Sequence, residues 1–272
     1  MRKHLDHIEN KEEVMFAVES ESDFGFLNTH TEEMVGYLKP RESEVILDIG
    51  AGTGDHSMNL ARKLSTGRVI IADLSKQKLS AIEERAKSHQ VYNLDTCGLI
   101  SSTLPFADQT FDAVTSRLGL MYFSNIELLV TEMVRVLKPS GRLSITLWNT
   151  SDHNLWMSHL HASLIRHQGI TEPSLSTSKL FCSVDQVPMA RYLRVAGLKG
   201  VVERIVKWNA LTAEMQEYWP YLYASMTPVA VDTLIGQSEL SKVNEEIIND
   251  LNSMYSESAV LETSAVHFYG QK

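Results

Sequence analysis

The feature that most constrains this chain is one ten-residue run, Val45-Ile46-Leu47-Asp48-Ile49-Gly50-Ala51-Gly52-Thr53-Gly54. Its first half is rich in branched apolar residues, which suit a buried strand. Its second half alternates glycines, which accept positive φ and let a backbone approach a ligand closely. Beyond it, Met58, Leu60, Ala61 and Leu64 recur at helical spacing. Strand, glycine turn and helix in that order open a βαβ unit.

The same alternation runs on to residue 148. A strand over Arg68–Ala72 stops at Asp73, and a helix from about Ser75 puts Leu79, Ile82 and Ala86 on one face. A short strand near Thr96–Ile100 follows, then one over Phe111–Ser116. Asn125 caps a helix carrying Ile126, Leu129, Met133 and Val136, which stops at Lys138-Pro139-Ser140-Gly141 before a fifth strand, Arg142–Trp148. Parallel strands joined by right-handed crossovers form an open sheet whose ligand sits beyond the strand carboxyl ends, so the glycine turn faces the site.

Charge narrows the ligand. A dinucleotide turn, GxGxxG, has its third glycine where this chain has Asp55. A carboxylate there repels a pyrophosphate, and Asp48 adds a second negative charge. The GxxxxGK[ST] run of nucleotide triphosphatases is absent. A ligand bearing positive charge fits better. Asp73, at a strand end, suits the two hydroxyls of a ribose, or equally an N-cap for the next helix.

The wider composition excludes several classes. With 34 acidic against 25 basic residues, the net charge of −9 disfavours nucleic acid and anionic membranes as partners. No stretch approaches the roughly 20 apolar residues of a membrane span. Residues Met1–Ser20 lack the apolar core of a signal peptide, and the two cysteines, Cys97 and Cys182, form neither a metal spacing nor a disulfide framework. These features suit the cytoplasm, with a homo-oligomer left open.

Taken together, the run Val45–Gly54, then Asp73, then Leu104-Pro105-Phe106-Ala107-Asp108-Gln109-Thr110-Phe111-Asp112, then Arg135-Val136-Leu137-Lys138-Pro139-Ser140-Gly141-Arg142-Leu143 resemble the class I S-adenosylmethionine-dependent methyltransferases, in particular the ubiquinone/menaquinone methyltransferase-like group. The resemblance is strong over about residues 40–150 and is one of layout beyond them. It implies a Rossmann-like α/β fold: an open, mostly parallel seven-stranded sheet with the last strand antiparallel, helices on both faces, and helical cap insertions. It also implies one domain over 1–272, with an N-terminal helical segment (1–43), a cofactor-binding core (44–148), and substrate-cap insertions at 149–195 and 212–262.

The resemblance further implies S-adenosyl-L-methionine as cofactor, leaving as S-adenosyl-L-homocysteine. Gly50, Ala51, Gly52 and Gly54 would pass under its methionine and ribose parts, Asp73 would hold the ribose hydroxyls, and Asp48 would lie near the ammonium side. Leu74 and Leu104 would sandwich the adenine, while Arg117 and Leu118 would offer backbone contacts to the methionyl portion. The chain departs from the family where an acidic residue usually meets the adenine amino group: Ile100-Ser101-Ser102 stands there, so Ser101, Ser102 or a backbone carbonyl would take that role.

Substrate choice falls to the rest of the chain. A helix near Leu155–His167, another over Val184–Ala196, a strand over Lys199–Trp208 and a last strand at Val266–Tyr269 leave a long insertion between the final strands. Within it Met215, Tyr218, Trp219, Tyr221, Leu222, Tyr223 and Met226 suit an apolar pocket wall or core packing alike. His153, His159, His161 and His167 include no i, i+4 pair that would hold zinc, so no metal is expected. As general base, His30 and His153 are candidates near the strand carboxyl ends, and Tyr122 a candidate to orient substrate. A sulfonium methyl is already a strong electrophile, so alignment matters more than a base. The expected activity is methyl transfer, by in-line displacement, to an O, N or C nucleophile of an apolar or aromatic small molecule. A cyclase or other non-methylating enzyme on the same fold is the alternative, and a nicotinamide-dependent dehydrogenase is disfavoured by Asp55.

Overall fold

A computed structural model describes residues 27–156, 158, 184, 187–211, 245, 246, 249, 250, 253 and 260–272. They fall into two compact units. Of the described residues, the first contains 27–149, 184, 187–206 and 265–272; the second contains 150–156, 158, 207–211, 245, 246, 249, 250, 253 and 260–264.

The first unit carries the sheet. Its elements are α1 (Asn28–Leu38), β1 (Val45–Ile49), α2 (Asp55–Ala61), β2 (Arg68–Asp73), α3 (Lys76–Ser88), β3 (Leu94–Gly98), β4 (Phe111–Arg117), α4 (Ile126–Val136), β5 (Leu137–Trp148) and α5 (Met189–Val195). Two more strands, β6 (Lys199–Leu211) and β7 (Val260–Gln271), are each divided between the units. The strand order is β3-β2-β1-β4-β5-β7-β6. β1 pairs in parallel with β2 and β4, as do β2 with β3 and β4 with β5. β7 runs antiparallel to β5, placing His267 beside Thr146 and Ala265 beside Trp148. This is the expected open, mostly parallel Rossmann-like sheet.

Strand alternation explains how both faces are covered. Ile46, Val69, Ile71 and Ala113 point into one cluster with Val35 and Leu38 of α1, Met58, Leu60 and Ala61 of α2, and Leu79, Ile82 and Ala86 of α3. The intervening residues, Leu47 and Ile49, are equally buried and so face the opposite layer, where α4 contributes Leu129, Met133 and Val136 and packs against α5. Burying a side chain of this size is worth roughly 1.5–3 kcal/mol. Asp48 shares the face of Ile46 and therefore points toward α2, not into the α4 layer.

Several boundaries differ from the sequence reading, each for a physical reason. β3 spans Leu94–Gly98 because Asn93 anchors its start: its Nδ2 donates to the carbonyls of Ala61, Leu64 and Gly67, and its own carbonyl accepts from Val69 N–H. β5 begins at Leu137 without an intervening turn. Leu137 pairs with Phe111, the register then shifts before Ala113, and the Lys138–Gly141 segment is an irregular part of the strand with Ser140 at φ 64. Ser75 caps α3 by accepting from Lys78 N–H, a contribution of about 1 kcal/mol. The helix expected over Val184–Ala196 is Met189–Val195, and β6 and β7 are longer than expected.

In the second unit, Asn154 is buried and bonds both ways with the Ser264 backbone, accepting its N–H at 2.8 Å and donating to its carbonyl at 2.9 Å. Thr263 donates to the Trp208 carbonyl, and Lys207 pairs with Glu262 at 2.8 Å. The aromatic run Met215–Met226 and the residues His159, His161, His167 and Cys182 lie outside the described residues. Among the described residues no helix is long and apolar enough to cross a membrane.

Candidate cofactor site at the strand carboxyl ends

The glycine turn is a set of close backbone approaches. Gly50, Gly52 and Gly54 have φ of 67, 60 and 83, a region that side-chain-bearing residues rarely enter. Gly50 N–H donates to the Ala72 carbonyl at the end of β2, and Gly54 N–H closes the turn onto Ala51. Gly50 lies against Gly119, after β4: a Cβ on Gly119 would stand 2.5 Å from the Gly50 carbonyl oxygen and 2.6 Å from that of Ile49. Ser116 Oγ donates to the same Ile49 carbonyl at 2.7 Å. Gly119 and Ser116 went unnoticed in the sequence because their partner lies some 67 residues upstream.

Two carboxylates flank this turn. Asp48 is fully buried at the end of β1; its Oδ2 accepts from Ser57 Oγ of α2 at 2.5 Å. Its Oδ1 is buried without a hydrogen-bond partner of good geometry, though the Ile49 N–H is close enough to lower the carboxyl pKa somewhat. Burial dominates and pushes that pKa up to about 6; Ser57 and the charge of Arg117 act against the rise, and the charge of Asp73 adds to it. Asp73, at the end of β2, is 8% exposed and accepts from Ser75 N–H at 2.9 Å. Burial raises its pKa too, opposed by Lys78 and by the Ser75 and Leu74 N–H groups. Of the two roles open for Asp73 in the sequence, the helix cap is taken by Ser75.

Asp55 requires a correction. Its Oδ1 pairs with Arg85 Nη1 of α3 at 2.6 Å, so its charge is largely offset within the protein. The preference for a cation therefore rests on Asp48 and Asp73.

The other expected contacts surround the same strand ends. Leu74 follows Asp73 and is 39% exposed, leaving an apolar surface open beside the ribose-binding candidate. Leu104 is buried in a clasp: its N–H donates to Glu132 Oε2, and its carbonyl accepts from Arg135 Nη2. Ser102 is buried and its Oγ accepts from Asn125 N–H, whereas Ser101 is exposed and its Oγ accepts from Thr103 N–H. Leu118 holds φ 57, unusual for a residue with a side chain, and donates to the Thr146 carbonyl; such strain concentrates at functional turns. Arg117 turns its side chain to Thr31 of α1, at 2.7 Å from Nη1. Tyr122, in a short turn after β4, lies with its ring 5.7 Å from Lys78 Nζ, the cation that also acts on Asp73.

The base candidates lie differently. His30 is buried, edge-on to Trp148, with Nδ1 2.8 Å from His267 Nε2, and His267 Nδ1 in turn is 2.7 Å from the Tyr269 hydroxyl. Burial holds the His30 pKa well below 6.5, with the charges of His267 and Arg117 adding. Burial likewise lowers His267 to about 4, helped by Arg204. His30 is thus a neutral imidazole inside a buried chain, not a solvent-facing base. His153 belongs to the second unit, is exposed, and is tied to Thr150 Oγ1 at 2.8 Å.

An open α/β sheet with a glycine turn between two buried carboxylates defines a class, and comparison with known proteins agrees. Residues 46–141 match the family described as "Methyltransferase domain". Residues 46–141 thus carry a methyltransferase domain, which is similar to that of the UbiE-like S-adenosylmethionine-dependent methyltransferases. It is 36% identical over 107 residues to a ubiquinone/menaquinone biosynthesis C-methyltransferase, UbiE, of Klebsiella pneumoniae, a match covering 39% of this chain and 43% of that protein. The chain thus spans less than half the length of the curated relatives it matches. In fold it resembles the [4+2]-cyclase SpnF, with TM-score 0.58, 17% identity, and 93% and 85% of the two chains covered. It also resembles a Haemonchus contortus phosphoethanolamine N-methyltransferase solved with phosphomonomethylethanolamine and S-adenosylhomocysteine. There the TM-score is 0.55 at 16% identity, over 90% of this chain and 52% of that one.

Proposed function

We propose that the protein binds S-adenosylmethionine at the Gly50–Gly54 turn and transfers its methyl group to an O, N or C nucleophile of an apolar or aromatic small molecule. The observation that carries this is the buried carboxylate pair. Asp48, with one oxygen lacking a well-aligned donor and a pKa raised to about 6, awaits positive charge, and Asp73 offers acceptors beside an exposed Leu74. The residues present fit a cationic nucleoside bearing an ammonium group. When bound, that cofactor supplies an activated methyl group on sulfur.

This chain's residues then do the positioning. Asp73 accepts from the ribose hydroxyls; Leu74 and Leu104 bracket the adenine; Ser101 or Ser102 takes its amino group. Asp48 favours the ammonium side electrostatically while Ser57 fixes the carboxylate. The Gly50–Gly119 approach and the turned backbone at Leu118 hold the methionyl strip in place. Tyr122 orients the acceptor. His30, buried and bonded to His267, is not placed to take a proton from an acceptor, so the transfer is read as one that needs no dedicated base. The acidic balance of the chain supports a small molecule over nucleic acid as acceptor, acting in the cytoplasm.

The family match spans residues 46–141, the cofactor-binding part, so it supports the cofactor more than the acceptor. Incubating the protein with methyl-labelled S-adenosylmethionine and a cell extract is expected to label a small apolar molecule and to release S-adenosylhomocysteine. Label confined to macromolecules contradicts the substrate class. Turnover of substrate without release of S-adenosylhomocysteine favours the non-methylating reading.

A further inference from the structure

Arg85 has no place in the site as described so far, yet it grips the glycine turn. Its Nη1 lies 2.6 Å from Asp55 Oδ1 and donates to the Thr53 carbonyl at 3.0 Å. Thr53 Oγ1 closes the other side by donating to Asp55 Oδ2 at 2.5 Å. One helical turn earlier on α3, Ile82 presses on the same spot: a Cβ on Gly54 would stand 2.8 Å from Ile82 Cγ2. The segment 53–55 is therefore held against α3 at two points three residues apart, one apolar and one ionic.

We infer that Asp55 and Arg85 are positioning residues that set the glycine turn for the cofactor. Three details favour this over a pair that merely adds stability. The guanidinium contacts the backbone of the turn itself as well as the carboxylate. The turn runs through three left-handed glycines, which on their own leave the backbone free to relax, so an external constraint is needed to hold one shape. The pair is also shielded, with side chains 22% and 18% exposed, where a charge-assisted bond is stronger than at the surface. Arg85 also cancels a third negative charge that would otherwise stand with Asp48 and Asp73, so the turn keeps its preference for a cation without excess repulsion between carboxylates.

The inference rests on the reading of this turn as the cofactor site, and the test separates the two. S-adenosylhomocysteine affinity is measured by calorimetry for the full chain, for Asp55→Asn, for Arg85→Gln and for the double variant, with the thermal midpoint of each unliganded protein. Each single change is expected to weaken binding about tenfold, and the double change to cost no more than about twofold beyond either single, since both break one device. Arg85→Lys should recover part of the affinity through its single point charge. If the parent protein fails to bind S-adenosylhomocysteine, the site assignment falls and this inference with it. If the parent binds and the variants bind equally well while only their thermal midpoints fall, the pair is structural and the inference alone is overturned.

Discussion

The sheet and its flanking helices bury two kinds of ionisable group in opposite senses. Along β1 and β2, Asp48 and Asp73 are carboxylates whose pKa burial raises. Around β4, β5 and β7, His56, His30 and His267 are imidazoles whose pKa burial lowers. Burial keeps the imidazoles neutral, and each also meets a partner: His56 Nε2 lies 3.1 Å from Thr115 Oγ1, and His30, His267 and Tyr269 form a chain with Tyr37 stacked on Tyr269 at 3.7 Å. A neutral network needs no outside charge. Asp48 differs in charge: above its raised pKa it is a buried anion opposed by the charge of Arg117, at the cost of folding stability. The difference teaches which groups a cationic ligand would complement and which burial keeps neutral without one.

The largest effect that would break this contrast is expected at Asp73. Removing its carboxylate by Asp73→Ala should weaken S-adenosylhomocysteine binding by about 1.5–3 kcal/mol, as for lost hydrogen bonds to a charged group. Unchanged affinity in calorimetry would place the ribose elsewhere.

An effect of similar size sharpens the imidazole side. Below pH 6.5 the unfolded chain protonates histidines that the folded state keeps neutral, so the unfolded state binds more protons and stability falls as the pH drops from 6.5 toward 4. For His267, whose folded pKa is about 4, the loss across that window is on the order of 2–3 kcal/mol. Because Asp48 acts in the opposite sense over the same range, the readout is a difference: in urea melts from pH 4 to 7, His267→Gln should lose less stability on acidification than the parent. No difference in pH dependence between parent and variant would mean that His267 carries none of the acid sensitivity.

Legibility in the sequence followed the range of the interaction. The Val45–Gly54 turn, the Asn125 cap and the inward faces of α2, α3 and α4 were readable because propensity and spacing act over a few residues. The start of β3 was misplaced because Asn93 is fixed by carbonyls 26 to 32 residues away. His30 reads in the sequence as a candidate base near the strand carboxyl ends, since nothing local reveals that a histidine 237 residues later buries and bonds it. Asp55 read as a bare charge because Arg85, a helix and a strand further on, is invisible to a motif. Gly119 was missed for the same reason: its need for a bare Cα exists only once β1 and β4 lie side by side.

Asp48 tests the contrast most directly. Because its folded pKa is raised to about 6, its contribution to stability is fully present below pH 3.8 and is lost as the pH rises through 6, so at pH 7.5 the charged group works against the fold. Asp48→Asn keeps the shape and an acceptor for Ser57 but removes that charge. At pH 7.5 the variant should unfold at a higher temperature than the parent, by about 1 kcal/mol or more, and bind S-adenosylmethionine at least tenfold more weakly. A variant that is less stable than the parent and binds the cofactor as tightly would contradict the claim that this carboxylate is buried for the sake of a cation.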